Sequence, residues 1–210
     1  MTTTYPITPR TKMKRGHQRA EYDVDLVNSI LDEAYICHVG AKMADRPMVQ
    51  PTVHWRVDDK LYIHGSSKNG LFQTLINGEE ACITVTLLDG LVMARSSFHH
   101  SANYRSVMIF SKATLINDDT EALHLLDLMM KKITPDRFDG IRGPNPQELK
   151  ATSVLQFDLK EVSAKVRTGP PVDDEEDYAL PVWAGVIPLT LEVGKHVDDP
   201  RWVEDHGATD

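Results

Sequence analysis

The chain is poor in cysteine and has no long apolar run. Among its 210 residues there are two cysteines, Cys37 and Cys82, which form neither a C-x-x-C pair nor a disulfide framework. No stretch is apolar for the roughly 20 residues that a membrane-spanning helix needs, and residues 1–20 lack the apolar segment of a secretory signal. We therefore expect two buried thiols, no membrane partner and a cytoplasmic location.

Positive charge is outnumbered, with 23 Lys and Arg against 31 Asp and Glu. The formal net charge of −8 argues against non-specific nucleic-acid binding, which needs clustered Lys and Arg to neutralise phosphates. The charge is uneven, because the N-terminal arm is basic and residues 173–177 are all acidic. We expect the acidic run to be solvated or to meet the basic arm. Lys165 and Arg167 share a strand face, where they could bind a carboxylate or phosphate, remain solvated, or pair with that acidic run.

The ordinary composition, 41% hydrophobic and 26% charged, indicates a single globular domain. We place an irregular arm at 1–20, the domain at 21–193 and a tail at 194–210. Seven or so strands joined mostly by hairpins, with two flanking helices, favour a small antiparallel barrel over a doubly wound sheet. The predicted helices span 24–34, with Asp23 as N-cap, and about 120–132, with Leu123, Leu126 and Met130 on the buried face. Asp89-Gly90 predicts a turn between two strands.

The stretch 50–70 reads as a hairpin that runs into a helix. Apolar and polar residues alternate on both arms, Asp58-Asp59 forms the turn, and Gly65-Ser66-Ser67-Lys68 precedes the helical spacing of LFQTLI. Backbone N–H groups, two hydroxyls and a lysine at the start of a helix could bind a phosphate. The plainer interpretation is that Ser66 or Ser67 caps the helix and that Lys68 is solvated.

Five segments, in this order, resemble one known family. They are RPMVQPTVHW, LYIHGSSKNG, NYRSVMIFSKATLI, ELKAT and AKVRTGPPVDDEEDYALPVWAGVIPL, and they extend over roughly residues 15–190. Together they resemble the FMN-binding split-barrel proteins of the pyridoxamine 5′-phosphate oxidase-like superfamily, most of all its nitroimidazole-resistance (Nim-like) branch. The resemblance implies a six-stranded antiparallel split β-barrel that forms a homodimer, with FMN in clefts between the subunits.

The resemblance also implies the site residues. Those expected at the isoalloxazine ring are Val49, Gln50, Pro51 and Thr52; those at the phosphate are Gly65, Ser66, Ser67 and Lys68; those closing the cleft are Tyr104, Arg105 and Ser106. Trp183 is expected against the flavin or at the dimer seam, although such a tryptophan is more often part of the core. His64 matches a histidine close to the flavin, where it could transfer a proton or be a structural strand histidine.

The function that follows is an FMN-dependent oxidoreductase. It would take electrons from NAD(P)H or another flavin and reduce a small acceptor, such as a nitro compound or quinone. The alternative is a non-catalytic binder of FMN, haem or another planar cofactor. The phosphate-gripping residues and arginine-rich C-terminal signature of true pyridoxamine phosphate oxidases are not recognisable, so we do not expect that activity. Because His54, His64, His99 and His100 lack metal-ligand spacing, we expect no metal site.

Overall fold

The computed structural model describes residues 3–134 and 141–206. The strands within these residues are β1 Ala20–Glu21, β2 Ile36–Met43, β3 Arg46–Val57, β4 Lys60–Ser66, β5 Glu80–Met93, β6 Ser101–Leu115, β7 Thr152–Asp158, β8 Glu161–Arg167 and β9 Gly185–Pro188. The α-helices are α1 Val24–Glu33, α2 Gly70–Ile76, α3 Asp119–Ile133, α4 Pro146–Lys150 and α5 Pro200–His206. No helix in the described ranges is long and apolar enough to cross a membrane.

Six antiparallel strands form a closed ring in the order β6-β7-β4-β3-β2-β5, and the pairing of β5 with β6 completes it. Outside the ring, β8 and β1 extend from β6, and β9 extends from β5. The long strand β3 changes partner, since Arg46–Val53 pairs with β2 whereas His54–Val57 pairs with β4. These pairings confirm the predicted six-stranded split barrel, whose closure removes exposed strand edges.

Apolar side chains form two clusters because strand residues alternate between two faces. On β4, Leu61 and Ile63 point into the main core, which α1 and α2 also enter. Tyr62 lies on the outer face of the same strand, where it packs with Trp55 and is covered by α3. His64 follows Tyr62 by two residues and therefore lies on this outer face.

The two predicted amphipathic helices are confirmed, with one correction. The Asp23 carboxylate accepts a hydrogen bond from the Leu26 amide at 2.8 Å and caps α1. Helix α3 buries Ala122, Leu125 and Met129, whereas the predicted stripe of Leu123, Leu126 and Met130 is only half-buried. The face is shifted by one residue because α3 lies against the bulky Trp55 and Tyr62, where small Ala122 allows close approach.

The predicted turn at Asp89-Gly90 is wrong. Strand β5 continues through both residues, with a register shift between Leu88 and Gly90 opposite β6. Glycine is required there by a neighbouring strand, because a Cβ on Gly90 would lie 3.0 Å from the Ile187 carbonyl oxygen of β9. Asp89 accepts two hydrogen bonds from the Arg105 guanidinium.

The acidic run is not solvated throughout. Asp173 is buried and accepts hydrogen bonds from the Arg95 and Ser96 amides at 3.0 and 3.2 Å and from Arg95 Nη1 at 3.1 Å. Asp173 therefore packs on the loop after β5, whereas residues 174–176 are exposed, and within the described chain no salt bridge joins the run to the basic arm or to Lys165 and Arg167. In the arm, Arg10 pairs instead with Glu80 and Glu161.

The cysteines are both free thiols. Cys37 is fully buried as predicted, and burial raises its pKa to about 12. Cys82 is only partly buried, since it lines an open groove beside β2 and β3. The predicted limits of the arm, the domain and the tail remain predictions.

Candidate functional site

The turn from Gly65 to Asn69 joins β4 to α2 and is held by its own hydrogen bonds. The Ser67 amide donates to the Ala151 carbonyl at 2.9 Å, and the Asn69 amide donates to the Ser66 carbonyl at 2.9 Å. Gln73 Nε2 donates to the Ser67 carbonyl at 2.7 Å. These contacts fix the backbone and leave the Lys68 side chain exposed, without an ion pair to any described residue.

Neither serine caps α2, so the plainer interpretation of these residues is wrong. The cap is Asn69, whose side-chain oxygen accepts from the Leu71 and Phe72 amides at 2.9 and 3.3 Å. Ser66 Oγ accepts from the Lys68 amide at 3.2 Å. Because Asn69 occupies the first-turn amides, an anion here would be bound chiefly by the serine hydroxyls and the Lys68 ammonium. Sequence reasoning overlooked Asn69, although asparagine before a helical run is a common N-cap.

Gly65 is needed for packing at this turn. A Cβ on Gly65 would lie 2.8 Å from Cζ of Phe72, whose ring packs over the glycine. Phe72 is buried in the main core, so α2 sits directly against the end of β4. Any larger residue at position 65 would push α2 away and open the turn.

The flavin-ring segment predicted on β3 lies next to this turn. Gln50 Oε1 accepts a hydrogen bond from Asn69 Nδ2 at 3.0 Å, which ties β3 to the start of α2. Val49 is 62% exposed and Pro51 is also exposed, so this part of β3 presents a free surface. The structure therefore brings Val49–Thr52 and Ser66–Lys68 together on one side of the barrel.

Tyr104, Arg105 and Ser106 do not join them within one chain. They lie on β6, which is separated from β3 by two strands in either direction around the ring, so the two strands are on opposite sides of the barrel. The Arg105 guanidinium is fully engaged, because it pairs with Asp89 and with Glu33 at the end of α1. Ser106 Oγ donates to the Lys165 carbonyl at 3.2 Å.

Trp183 is a surface residue. Its side chain is 65% exposed, and its ring folds over Gly185, where a Cβ would lie 2.9 Å from the indole Cζ2. The expectation that such a tryptophan belongs to the core is wrong for this chain. An exposed aromatic ring of this size on a folded chain is available to a ligand or a partner.

His64 lines a separate cavity of about 450 Å³ on the outer face of the barrel. Helix α3 and residues 141–144 form the walls, with apolar side chains from Leu126, Met129, Met130, Ile141 and Pro144. At the rim, Arg142 makes a bidentate ion pair with Glu148 at 2.7 and 2.8 Å. Sequence reasoning missed these lining residues because segments far apart in the chain assemble the cavity, and no local pattern marks it.

The imidazole of His64 is one of several polar groups in that cavity, together with Asp127, Arg142 and Thr152. Its Nδ1 atom is buried without a hydrogen-bond partner in the described chain, and burial lowers the pKa of the ring. The ring is therefore neutral at physiological pH and able to act as a ligand or a hydrogen-bonding group. Trp55 lies against it, with ring centroids 6.1 Å apart, and stacks on Tyr62 at 5.8 Å.

Comparison with known proteins identifies the family. The family described as pyridoxamine 5′-phosphate oxidase matches residues 23–166, which include every strand of the barrel ring. The chain belongs to this family. Among functionally curated proteins, no significant match was found.

Two of the solved structures that resemble this chain cover more of it than the family match at residues 23–166, and a third shares its fold. The flavocytochrome Anf3 from Azotobacter vinelandii is 44% identical, with a TM-score of 0.88 over 92% of this chain and 90% of that chain. The FAD and haem binding protein from Mycobacterium smegmatis is 33% identical, with a TM-score of 0.83 over 87% and 89%. A structure described as a 5-nitroimidazole antibiotic resistance protein from Bacteroides thetaiotaomicron is 24% identical, with a TM-score of 0.59 over 70% and 86%, and shares the fold.

Proposed function

We propose that this protein binds a flavin, FMN or its dinucleotide, at the side of the barrel formed by β3 and the turn before α2. The observation that carries the proposal is the Gln50–Asn69 hydrogen bond, which holds an exposed strand beside a turn bearing two hydroxyls and an unpaired lysine. A flavin phosphate needs such donors, and the flat ring needs an exposed backbone surface. Two of the most similar structures are described as a flavocytochrome and an FAD-binding protein.

We propose that two copies of the chain complete the flavin cleft. Tyr104 and Ser106 lie across the barrel from the β3 segment, so they reach the same ligand only from a second copy. The outer surface of the barrel carries exposed apolar side chains that suit such a contact, among them Val49, Leu88, Leu91 and Met108. Trp183 would contribute an aromatic surface to the same assembly.

The activity that we propose is the reduction of a small acceptor, such as a nitro compound or a quinone, with NAD(P)H as the reductant. The flavin would supply the redox chemistry: NAD(P)H is oxidised to NAD(P)⁺ by loss of a hydride, and the acceptor gains those two electrons and one proton together with a second proton from solvent, so that a quinone becomes a hydroquinone and a nitro group becomes a nitroso group and water. The chain contributes binding and orientation. Backbone groups of Val49–Thr52 would face the ring, and Ser66, Ser67 and Lys68 would hold the phosphate.

The cavity at His64 favours haem as a second ligand. Haem iron is commonly held by a neutral histidine, and His64 supplies one in a cavity of about 450 Å³ whose walls are mostly apolar. Arg142 at the rim could pair with a haem carboxylate after leaving Glu148. Two solved structures that are 44% and 33% identical to this chain are described as a flavocytochrome and as an FAD and haem binding protein. If haem binds here, the prediction that the chain holds no metal is wrong.

The test of flavin binding is an absorbance spectrum after incubation with FMN or FAD and removal of free dye. We expect about one flavin per chain in wild type and a large loss in a Ser67→Ala, Lys68→Ala double variant, because two of the three proposed phosphate donors, including the only charged one, are removed. The matched control is Lys150→Ala, which removes an exposed lysine beside a different cavity. A wild-type protein that stays colourless with excess flavin would rule the proposal out.

Haem binding is tested by titrating haemin into wild type and into His64→Ala and His124→Ala. A sharp Soret band in wild type and in the His124 variant, and its loss or shift in the His64 variant, is expected if the imidazole ligates the iron. His124 is a suitable control because it is exposed on α3. Equal spectra from all three proteins would exclude His64 as the ligand.

A further inference from the structure

The outer face of β6 and β8 carries a group of basic and hydroxyl side chains. Tyr104 is paired in register with Arg167, and Ser106 with Lys165, so the four residues form two adjacent cross-strand pairs. Arg19 comes close through the adjoining strand β1, where Ala20 is paired with Lys165. We call Arg19, Lys165 and Arg167, together with Tyr104 and Ser106, the β6–β8 patch.

The positive charge of the β6–β8 patch has no counter-charge in the described chain. Within residues 3–134 and 141–206, no carboxylate makes a salt bridge with Arg19, Lys165 or Arg167, although all three are half-buried. Burial and the neighbouring Arg19 lower the pKa of Arg167. Of the acids that flank β8 in the chain, Glu161 pairs with Arg10, and Asp173 is held by the Arg95 and Ser96 amides.

Arg167 is held by a neutral group. Its Nη1 donates to Oδ1 of Asn103, which is itself buried and anchored by its Nδ2 to the Gly169 carbonyl at 3.1 Å. An amide oriented in this way fixes the guanidinium without cancelling its charge. The remaining guanidinium N–H groups have no acceptor among the described residues, so the side chain is positioned for a ligand with several oxygen atoms.

Partly burying like charges beside one another is unfavourable unless an anion joins them. A lone carboxylate would satisfy one of the cations, whereas a phosphate group has enough oxygen atoms to contact several. The phenol ring of Tyr104 adds a surface on which a planar base can stack. The combination of three cations with one aromatic ring therefore suits a nucleotide better than inorganic phosphate alone.

We propose that the β6–β8 patch binds the phosphate groups of a nucleotide, with Arg167 and Lys165 as the anchoring cations and Tyr104 beside the base. The inference rests on the proposed function for its source of ligand. The nucleotide is either the adenosine diphosphate half of an FAD that a second copy holds, or a free nicotinamide nucleotide that delivers electrons. Both present the same chemistry, and the experiment separates them.

The probe is ADP, titrated by calorimetry into the protein purified without added flavin. We expect saturable binding in wild type and a loss of about tenfold or more in affinity in Arg167→Gln and in Lys165→Gln, because each removes a charge-assisted contact. Lys112→Gln is the matched control, since Lys112 is an exposed lysine farther along β6. The affinity should also fall with salt in wild type and less steeply in the two variants.

Two further arms identify the source. If Arg167→Gln weakens FAD binding and leaves FMN binding unchanged, the patch takes the adenosine half of the cofactor. If it weakens NADPH binding and leaves both flavins unchanged, the patch takes the reductant. Equal binding of ADP, FAD and NADPH by wild type and variant overturns the inference.

The proposed function and this inference can fail independently. The proposed function fails if wild type retains no flavin, whereas binding of ADP to the β6–β8 patch does not require bound flavin.

Thermal melts without nucleotide test whether Arg167 has a purely structural role. Removing an uncompensated cation should leave the melting temperature of Arg167→Gln unchanged or higher, because relief of the cost of partly burying that cation offsets the lost hydrogen bond to Asn103 Oδ1. A clear decrease in melting temperature, with nucleotide binding intact, would assign Arg167 to the fold and overturn the inference.

Discussion

The buried imidazole of His54 should lower the free energy of unfolding as the pH becomes acidic, because it takes up a proton more readily in the unfolded chain than in the folded one. The side chain is fully buried on β3, and its Nε2 lies 3.0 Å from the Leu31 carbonyl at the end of α1. A carbonyl only accepts, so Nε2 carries the proton and Nδ1 is bare, buried and without a partner in the described chain. Burial, and then the charge of Lys132, lower the pKa of His54 from 6.5 to about 4.

The sign and size of the effect follow from that shift. Between pH 6.5 and pH 4 the unfolded chain binds a proton at this histidine and the folded chain does not, so stability is lost as the pH falls through this window. One pKa unit corresponds to about 1.4 kcal/mol, so the full shift corresponds to about 3 kcal/mol. Most of that loss should be complete by pH 4.5. Burial lowers the pKa of His64 as well, so it contributes in the same direction.

The measurement is urea unfolding of wild type and His54→Gln at pH 7.5 and pH 4.5. Glutamine can still donate to the Leu31 carbonyl but does not titrate, so the variant should lose about 2.5 kcal/mol less than wild type between the two pH values. His124→Gln, an exposed control, should behave like wild type. If wild type and His54→Gln lost the same free energy of unfolding, His54 would not be neutral and buried in the folded state, and the reasoning would fail.

Three substitutions test the site and its surroundings. Gly65→Ala should lower the free energy of unfolding by about 1–3 kcal/mol in urea titrations, because the new Cβ would lie 2.8 Å from Cζ of Phe72. Asn69→Ala should cost about 1 kcal/mol in the same assay and also weaken flavin retention, because it removes both the α2 cap and the tie to β3; unchanged retention would contradict the proposed site. Ala44→Gly should raise the free energy of unfolding by about 1 kcal/mol, and the melting temperature with it, because Ala44 has a φ of 57° at the β2–β3 turn. A decrease in either quantity would show that this conformation is not strained.

Much of the barrel could be predicted because alternation of apolar and polar residues is a local signal. It identified the two arms of the hairpin, β3 and β4, and the N-cap residue Asp23 marked the start of α1. The error at Asp89-Gly90 has a non-local cause. The dipeptide is typical of turns, but in this fold the glycine admits β9 and the aspartate pairs with Arg105, and neither contact is visible from neighbouring residues.

Part of the candidate site could also be predicted from the sequence, and part could not. Gly65, Ser66, Ser67 and Lys68 are consecutive, so the turn could be identified from the sequence, although the cap proved to be Asn69. The cavity at His64 could not, because α3, β7 and residues 141–144 each contribute only one wall. The face of α3 that is buried also depends on which sheet surface it meets.

Strand β3 contributes to both proposed ligand sites, because it changes its pairing partner along its length. Thr52, at the end of the flavin segment, and Trp55, in the wall beneath His64, belong to one extended backbone, about 10 Å apart along the strand. A single-residue insertion or deletion between them would exchange the inner and outer faces of everything that follows on β3. Trp55 would then point into the main core and His54 out of it. The spacing between the two sites is therefore set by strand register: a change of two residues keeps both faces in place, whereas a change of one residue needs a β-bulge to restore them.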